Sequence, residues 1–187
     1  MDHFGAAWNI VKENLVGWII FTLVLGILGS FGVGLLLVPN AMRAARDAID
    51  SNSGPEIGAL FNFDNITDDA IGMIIYFAAI FVGSFVVIGG LIASVLFAWV
   101  PMLLAENRVA GAESWKASLA HTKGNFVDIL VFGVIATVIN IAGGLACGLG
   151  TFITAPVTLV AGWLFYTSQR DQILQLAQQD GVSLLNG

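Results

Sequence analysis

Three tracts of this chain contain no Asp, Glu, Lys or Arg: residues 14–42, 70–105 and 129–169. Each exceeds the roughly 20 apolar residues that carry a helix across about 30 Å of hydrocarbon. A water-soluble core cannot hide tracts of this length in so small a chain. Of its 187 residues, 57% are hydrophobic and only 11% charged, against about a quarter charged in soluble domains. The tracts therefore predict an all-α, polytopic helical membrane bundle, with about four transmembrane helices plus interfacial amphipathic helices.

The same composition excludes several functions. A net charge of −6 argues against nucleic acid, which asks for a basic face. The lone cysteine, Cys147, lies in an apolar run. It can form no intrachain disulfide and cannot supply a zinc-finger site. No cofactor or metal is implied. The first apolar region, Leu15 to Val38, outruns the core of a signal peptide. Asp2 and Glu13 flank it against a single Lys12, and no small-x-small cleavage site follows, so it is expected to be retained.

Along the chain, residues 2–14 predict an interfacial helix. Phe4, Trp8, Val11 and Leu15 share one face, with Asn9, Lys12 and Glu13 off it. Span one covers 15–38 and Pro39 is expected to end it. Gly26, Ser30 and Gly34 recur every four residues, a face that lets another backbone approach closely. Residues 39–69 form an acidic extracytoplasmic loop, with a short helix over Met42 to Asp50 and turn chemistry from Ser51 to Pro55. Asp64, Asp68 and Asp69 lack the spacing of a calcium loop.

Span two is placed at 70–100. The uncharged run to Ala105 would be about 54 Å as one helix, too long for one upright crossing and short for two. A single long tilted helix ending near Trp99 is preferred over a hairpin at Gly89-Gly90. Gly90, Ser94 and Ala98 give a second small-residue face. Residues 101–126 are the cytoplasmic hinge. Within it Ala112 to Lys123 reads as a second interfacial helix, with Trp115 and Leu119 on one side. Ser114, Ser118 and His121 form a polar stripe, and Lys116 and Lys123 lie together elsewhere. His121 has no Ser–Asp pair or second His at catalytic or metal spacing.

Span three covers 127–147, and Ala136, Asn140, Gly144 and Gly148 share a face. Asn140 needs a partner in hydrocarbon. Gly148-Leu149-Gly150 suits a tight reversal, span four covers 151–167, and 168–187 continue as a polar C-terminal helix that Gly181 ends. Lys12, Arg108, Trp115, Lys116 and Lys123 are placed to contact headgroups, anionic ones above all. With four spans, Lys12, Arg108, Lys116, Lys123 and Arg170 share one side against Arg43 and Arg46. The richer side is cytoplasmic, so both termini are expected inside a cell's inner (cytoplasmic) membrane and the acidic loop outside.

The hinge carries a resemblance. Pro101, the segment Ala112-Glu113-Ser114-Trp115-Lys116-Ala117-Ser118 and then Lys123-Gly124-Asn125-Phe126 are followed by Gly143-Gly144 to Gly150 and Pro156, with Leu60-Phe61 upstream. In these residues the stretch 57–170 resembles the membrane domain of glycerophosphoryl diester phosphodiesterases and related uncharacterised prokaryotic integral membrane proteins. The resemblance implies a helical membrane domain. It brings no phosphodiesterase activity, because no catalytic domain is present. The functional expectation is a non-enzymatic membrane protein, an oligomeric scaffold or partner-binding subunit of a membrane complex that touches lipid. The alternative is a small transporter, channel or lipid-handling protein, against which stands the lack of ionisable residues inside the spans beyond Asp128, which sits at a boundary.

Overall fold

The computed structural model describes residues 3–30, 34–84, 87–145 and 150–185. It is all-helical, 83% helix, with no strand among the described residues beyond an isolated antiparallel bridge between Val109 and Leu184. The helices are α1 (His3–Glu13), α2 (Leu15–Ser30), α3 (Gly34–Asp50), α4 (Ile66–Ser84), α5 (Val87–Leu96), α6 (Val100–Glu106), α7 (Ser114–Thr122), α8 (Phe126–Leu145) and α9 (Thr151–Gln179). Among the described residues, Gly89–Glu106, α8 and α9 are long and apolar enough to cross a membrane, with a fourth if α1 and α2 count as one span. The chain forms two compact units, Met1–Asn62 with Val134–Ser168, and Phe63–Gly133 with Gln169–Gly187.

In the first unit α1 and α2 meet at 99°. Ala7 and Val11 of α1 are buried, while Trp8, Asn9, Lys12 and Glu13 are exposed. The His3 ring stands 5.4 Å from that of Phe165 on α9. Residues 15–38 are not one helix ended by Pro39. Pro39 is buried within α3. It falls in the second turn, where the missing N–H removes a single backbone bond close to the helix start. The helix is held by Leu37 and a stripe of small apolar residues, Ala41, Ala44, Ala45 and Ala48, all buried.

The helix α3 packs along α2 and brings the chain back to where α2 began. A Cβ on Gly54 would stand 3.5 Å from that of Asn14, and one on Gly17 would stand 3.9 Å from Gly54 and Pro55. Residues 39–69 were expected across the membrane from the N-terminal segment. This return places the turn after α3 beside that segment instead. Asn40 secures the return by donating from Nδ2 to the carbonyls of Leu60 (3.0 Å) and Asn62 (2.7 Å). Its Oδ1 accepts from Arg43 at 2.5 Å.

In the second unit, residues 70–100 also differ from the single long helix expected. They divide between α4 and α5, which pack side by side. The direction is shown by Gly72, where a Cβ would stand 2.7 Å and 2.8 Å from the two methyls of Leu104 on α6. Gly89 and Gly90 therefore lie inside α5 and not at a reversal. Met73, Trp99, Leu103, Leu104, Ala117 and Ile173 fill the core of this unit. At its end the start of α4 meets Gly111 so closely that a Cβ there would fall on the Asp68 carbonyl. Past α9, Gly181 takes φ 80°, and Val182 N–H reaches Ala177 O at 2.9 Å, a left-handed helix stop. The tail then pairs with the hinge, Leu185 N–H donating to Arg108 O at 2.8 Å.

Candidate functional site

The hinge site begins with Pro101. Proline lacks an N–H, and its ring crowds the carbonyl four residues back, so a regular helix through Phe97 is disfavoured. The chain accordingly turns over Phe97–Trp99, with Ala98 N–H on Val95 O and Val100 N–H on Phe97 O, both at 3.2 Å. These short-range bonds leave the Leu96 carbonyl and the Trp99 N–H outside the helical ladder. In a buried setting such groups need partners.

The partners come from α7. Ser118 donates its hydroxyl proton to Leu96 O at 2.8 Å and accepts from Trp99 N at 3.3 Å. The Thr122 hydroxyl lies 2.9 Å from the same carbonyl and also reaches the Ser118 carbonyl. Ser114, whose hydroxyl donates to Gly111 O at 2.8 Å, completes the row. The stripe of Ser114, Ser118 and His121 is thus the buried face of α7. It staples the break between α5 and α6.

His121 extends the staple. Trp99 donates its indole N–H to His121 Nδ1 at 2.9 Å, with the rings nearly edge-on at 5.8 Å and 68°. An indole can only donate, so Nδ1 holds a lone pair and the ring proton sits on Nε2. That nitrogen faces Gln169 Oε1 of α9 at 3.3 Å. Asn125 donates from Nδ2 to the His121 carbonyl at 3.1 Å. Burial pushes the imidazole below its ordinary range, opposed by the bonds to Gln169 and Gln172. The side chain is fully buried, and a charged ring there is disfavoured.

The outer side of α7 is different. Lys116 and Lys123 are exposed. The Lys116 ammonium sits 5.8 Å from the Trp115 ring centroid and 3.6 Å from Glu113, while Trp115 turns its indole N–H onto Ala112 O at 2.9 Å. Arg108 lies 3.9 Å from Glu106, whose largely buried carboxylate also meets Arg170 at 3.3 Å. Of the five residues expected at headgroups, Trp115, Lys116, Lys123 and Arg108 thus gather in the second unit, and Lys12 stands on α1 in the first.

The expected packing faces are distributed unevenly. Gly26 is exposed with nothing within 4 Å of a Cβ placed on it. Ser30 is exposed and donates to Ile27 O at 2.6 Å. Gly34 opens α3, so this row belongs to two helices. Gly90 and Ser94 lie on α5, with the Ser94 hydroxyl on Leu91 O at 2.8 Å. Ala98 falls in the break. On α8, Ala136 is half-buried, Gly144 is exposed, and Gly148 lies outside the described residues. The close approach is made by Gly143, where a Cβ would fall on the Thr154 hydroxyl of α9.

Asn140 donates from Nδ2 to Thr158 Oγ1 at 3.1 Å. Its Oδ1, together with Thr154 Oγ1 and Trp18 Nε1, is buried without a hydrogen-bond partner among the described residues. No group of three His, Cys, Asp or Glu residues among them could hold a metal. Sequence reasoning missed Trp99, Thr122, Gln169 and Gly143. The first three were detectable only through the conflict between Pro101 and the carbonyl of Phe97, which calls for outside partners at that break. No protein-family model matches the chain, and no curated protein or solved structure is significantly similar to it.

Proposed function

We propose that this chain is a multi-pass protein of the inner (cytoplasmic) membrane, without catalytic activity. In this reading it acts as an oligomeric scaffold or a partner-binding subunit, and its basic residues meet lipid headgroups. The observation that carries the reading is apolar surface facing outward on the long helices. Only 11% of Phe126–Leu145 is buried. Val127, Val134, Val138, Ile141 and Leu145 all point away from the protein. Water would penalise that surface at about 25 cal/mol per Å², whereas lipid tails accept it.

Each long apolar tract also doubles back, α2 on α3, α4 on α5 and α6, and α8 on α9. In the first unit that return sets the turn after α3 beside the end of α1, so Lys12 and the start of the loop 39–69 share a side, which the positive-inside rule makes cytoplasmic.

Assembly is supported by α2. Gly26 and Gly29 have open space where a side chain would stand, beside the exposed Leu23 and Ile27. A bulky residue at Gly26 meets nothing in its own fold but blocks close approach by a second helix. The wild-type chain in mild detergent is expected to run as a multimer in native mass spectrometry, and Gly26→Ile to run as a monomer with unchanged helicity. A monomeric wild type, or an undisturbed Gly26→Ile multimer, removes the scaffold reading through this face.

A further inference from the structure

His121 occupies a position that no part of the proposed assembly uses. Both ring nitrogens are engaged, Nδ1 by Trp99 and Nε2 by Gln169 and Asn125, and the partners differ in kind. Gln169 can turn its amide to offer either oxygen or NH₂ to Nε2. Trp99 cannot adapt, because the indole nitrogen has a proton and no lone pair. A second proton on the ring would therefore set two N–H groups head to head across the 2.9 Å between Trp99 Nε1 and His121 Nδ1. Exchanging the two nitrogens by rotating the ring brings no relief, since a protonated imidazole donates from both.

We propose that His121 is an acid-operated latch. Neutral, it joins Trp99 at the mouth of α6 to Gln169 of α9 across α7. Protonated, it expels the Trp99 indole and loosens α7 from the break that its hydroxyls staple.

Among the described residues, the ring is bonded to no charged side chain. The side chains meeting the ring are Trp99, Gln169, Gln172 and Asn125, all neutral. None of the charged groups on the elements packed on α7 is bonded to the ring among the described residues. Lys116 pairs with Glu113, Glu106 of α6 with Arg170 of α9 and with Arg108, and Asp68 of α4 accepts from Gly111 N–H. Asp69 is buried at the start of α4. Tyr76 lies further along α4, and Asp171 and Lys123 are exposed.

The full chain, labelled with ¹⁵N-tryptophan in detergent, tests this directly. The Trp99 indole resonance is assigned by its loss in Trp99→Phe. Lowering the pH from about 7.5 to about 4.5 is expected to shift that resonance cooperatively, with a midpoint below the roughly 6.5 of free histidine. His121→Gln, which cannot charge, is expected to hold the resonance still, and His3→Gln to titrate like the wild type. A resonance that does not move, or one that moves equally in His121→Gln, overturns the latch. Should His121→Gln fail to fold, Trp99→Phe decides the matter. With the opposing donor gone, the midpoint read from the His121 ring C–H rises toward 6.5, and an unchanged midpoint overturns the proposal.

Discussion

Ser118 shows how much a single hydroxyl can hold in this protein. It gives a proton to one backbone group and takes one from another, both at the break before Pro101. Removing it strips the Trp99 N–H of this acceptor while Leu96 keeps the Thr122 hydroxyl within 2.9 Å. Loss of a partner for a buried polar group costs about 1–3 kcal/mol. Ser118→Ala is therefore expected to lower stability by about 2 kcal/mol, whereas Thr122→Val, which leaves Ser118 on both backbone groups, costs under about 1 kcal/mol. Thermal unfolding of the two variants in the same detergent gives the order. Equal losses would mean that the two hydroxyls are interchangeable and that Trp99 N–H does not depend on Ser118. The glycines follow a related rule. Gly111 abuts a rigid carbonyl and Gly72 the flexible end of Leu104, so only the first is confined to glycine by its neighbour.

At the scale of elements, the helical class and the apolar character of α8 and α9 are readable from the charge-free tracts alone, because a lone segment satisfies its own backbone in hydrocarbon only as a helix, and these tracts far outrun the roughly 9–11 residues of a barrel strand. The two early reversals are not readable in the same way. An apolar run exposes similar side chains to lipid whether it continues or folds back, so composition over 70–105 does not separate α4 from α5. Pro39 is equally at home just after one helix and inside the first turns of the next. The burial of Ser114, Ser118 and His121 was hidden for a related reason. Their spacing defines a face but not which way it points, and the deciding fact is a broken ladder far along the chain. The small-residue row Gly26, Ser30 and Gly34 presumed one continuous helix, which α2 and α3 do not form. The right angle between α1 and α2 makes a prediction of its own. If α2 enters the bilayer, α1 lies in its plane with Trp8 and Lys12 outward. A spin label at Trp8→Cys, with Cys147→Ala, is then expected to sit at headgroup depth, more accessible to a water-soluble relaxant than a label at Val138. A label at position 8 as deep as one at position 138 would place α1 inside the hydrocarbon and end this assignment.

For the molecule as a whole, the consequence of the paired helices lies in which surfaces share a compartment. The sequence pattern alone sets Arg43 and Arg46 against the other basic residues, an arrangement in which the two most basic segments of the first unit face opposite sides. The contact of Gly54 with Asn14 removes that conflict, since the turn after α3 and the end of α1 lie together. Ser53 is exposed in that turn, which makes it a reporter for the entire topology. In a Cys147→Ala background, Ser53→Cys is expected to resist a membrane-impermeant maleimide in intact cells and to react once the membrane is opened. Lys123→Cys is expected to behave identically. Reaction at position 53 from outside, with position 123 still protected, would put an odd number of passages between them. The doubled-back reading of α4 on α5 and α6 would then fail, and the acidic loop would return to the side opposite the hinge. Identical protection of both sites would put the turn after α3 and the hinge in one compartment, beside an inner leaflet whose anionic lipids attract basic residues at about 1 kcal/mol each near its surface.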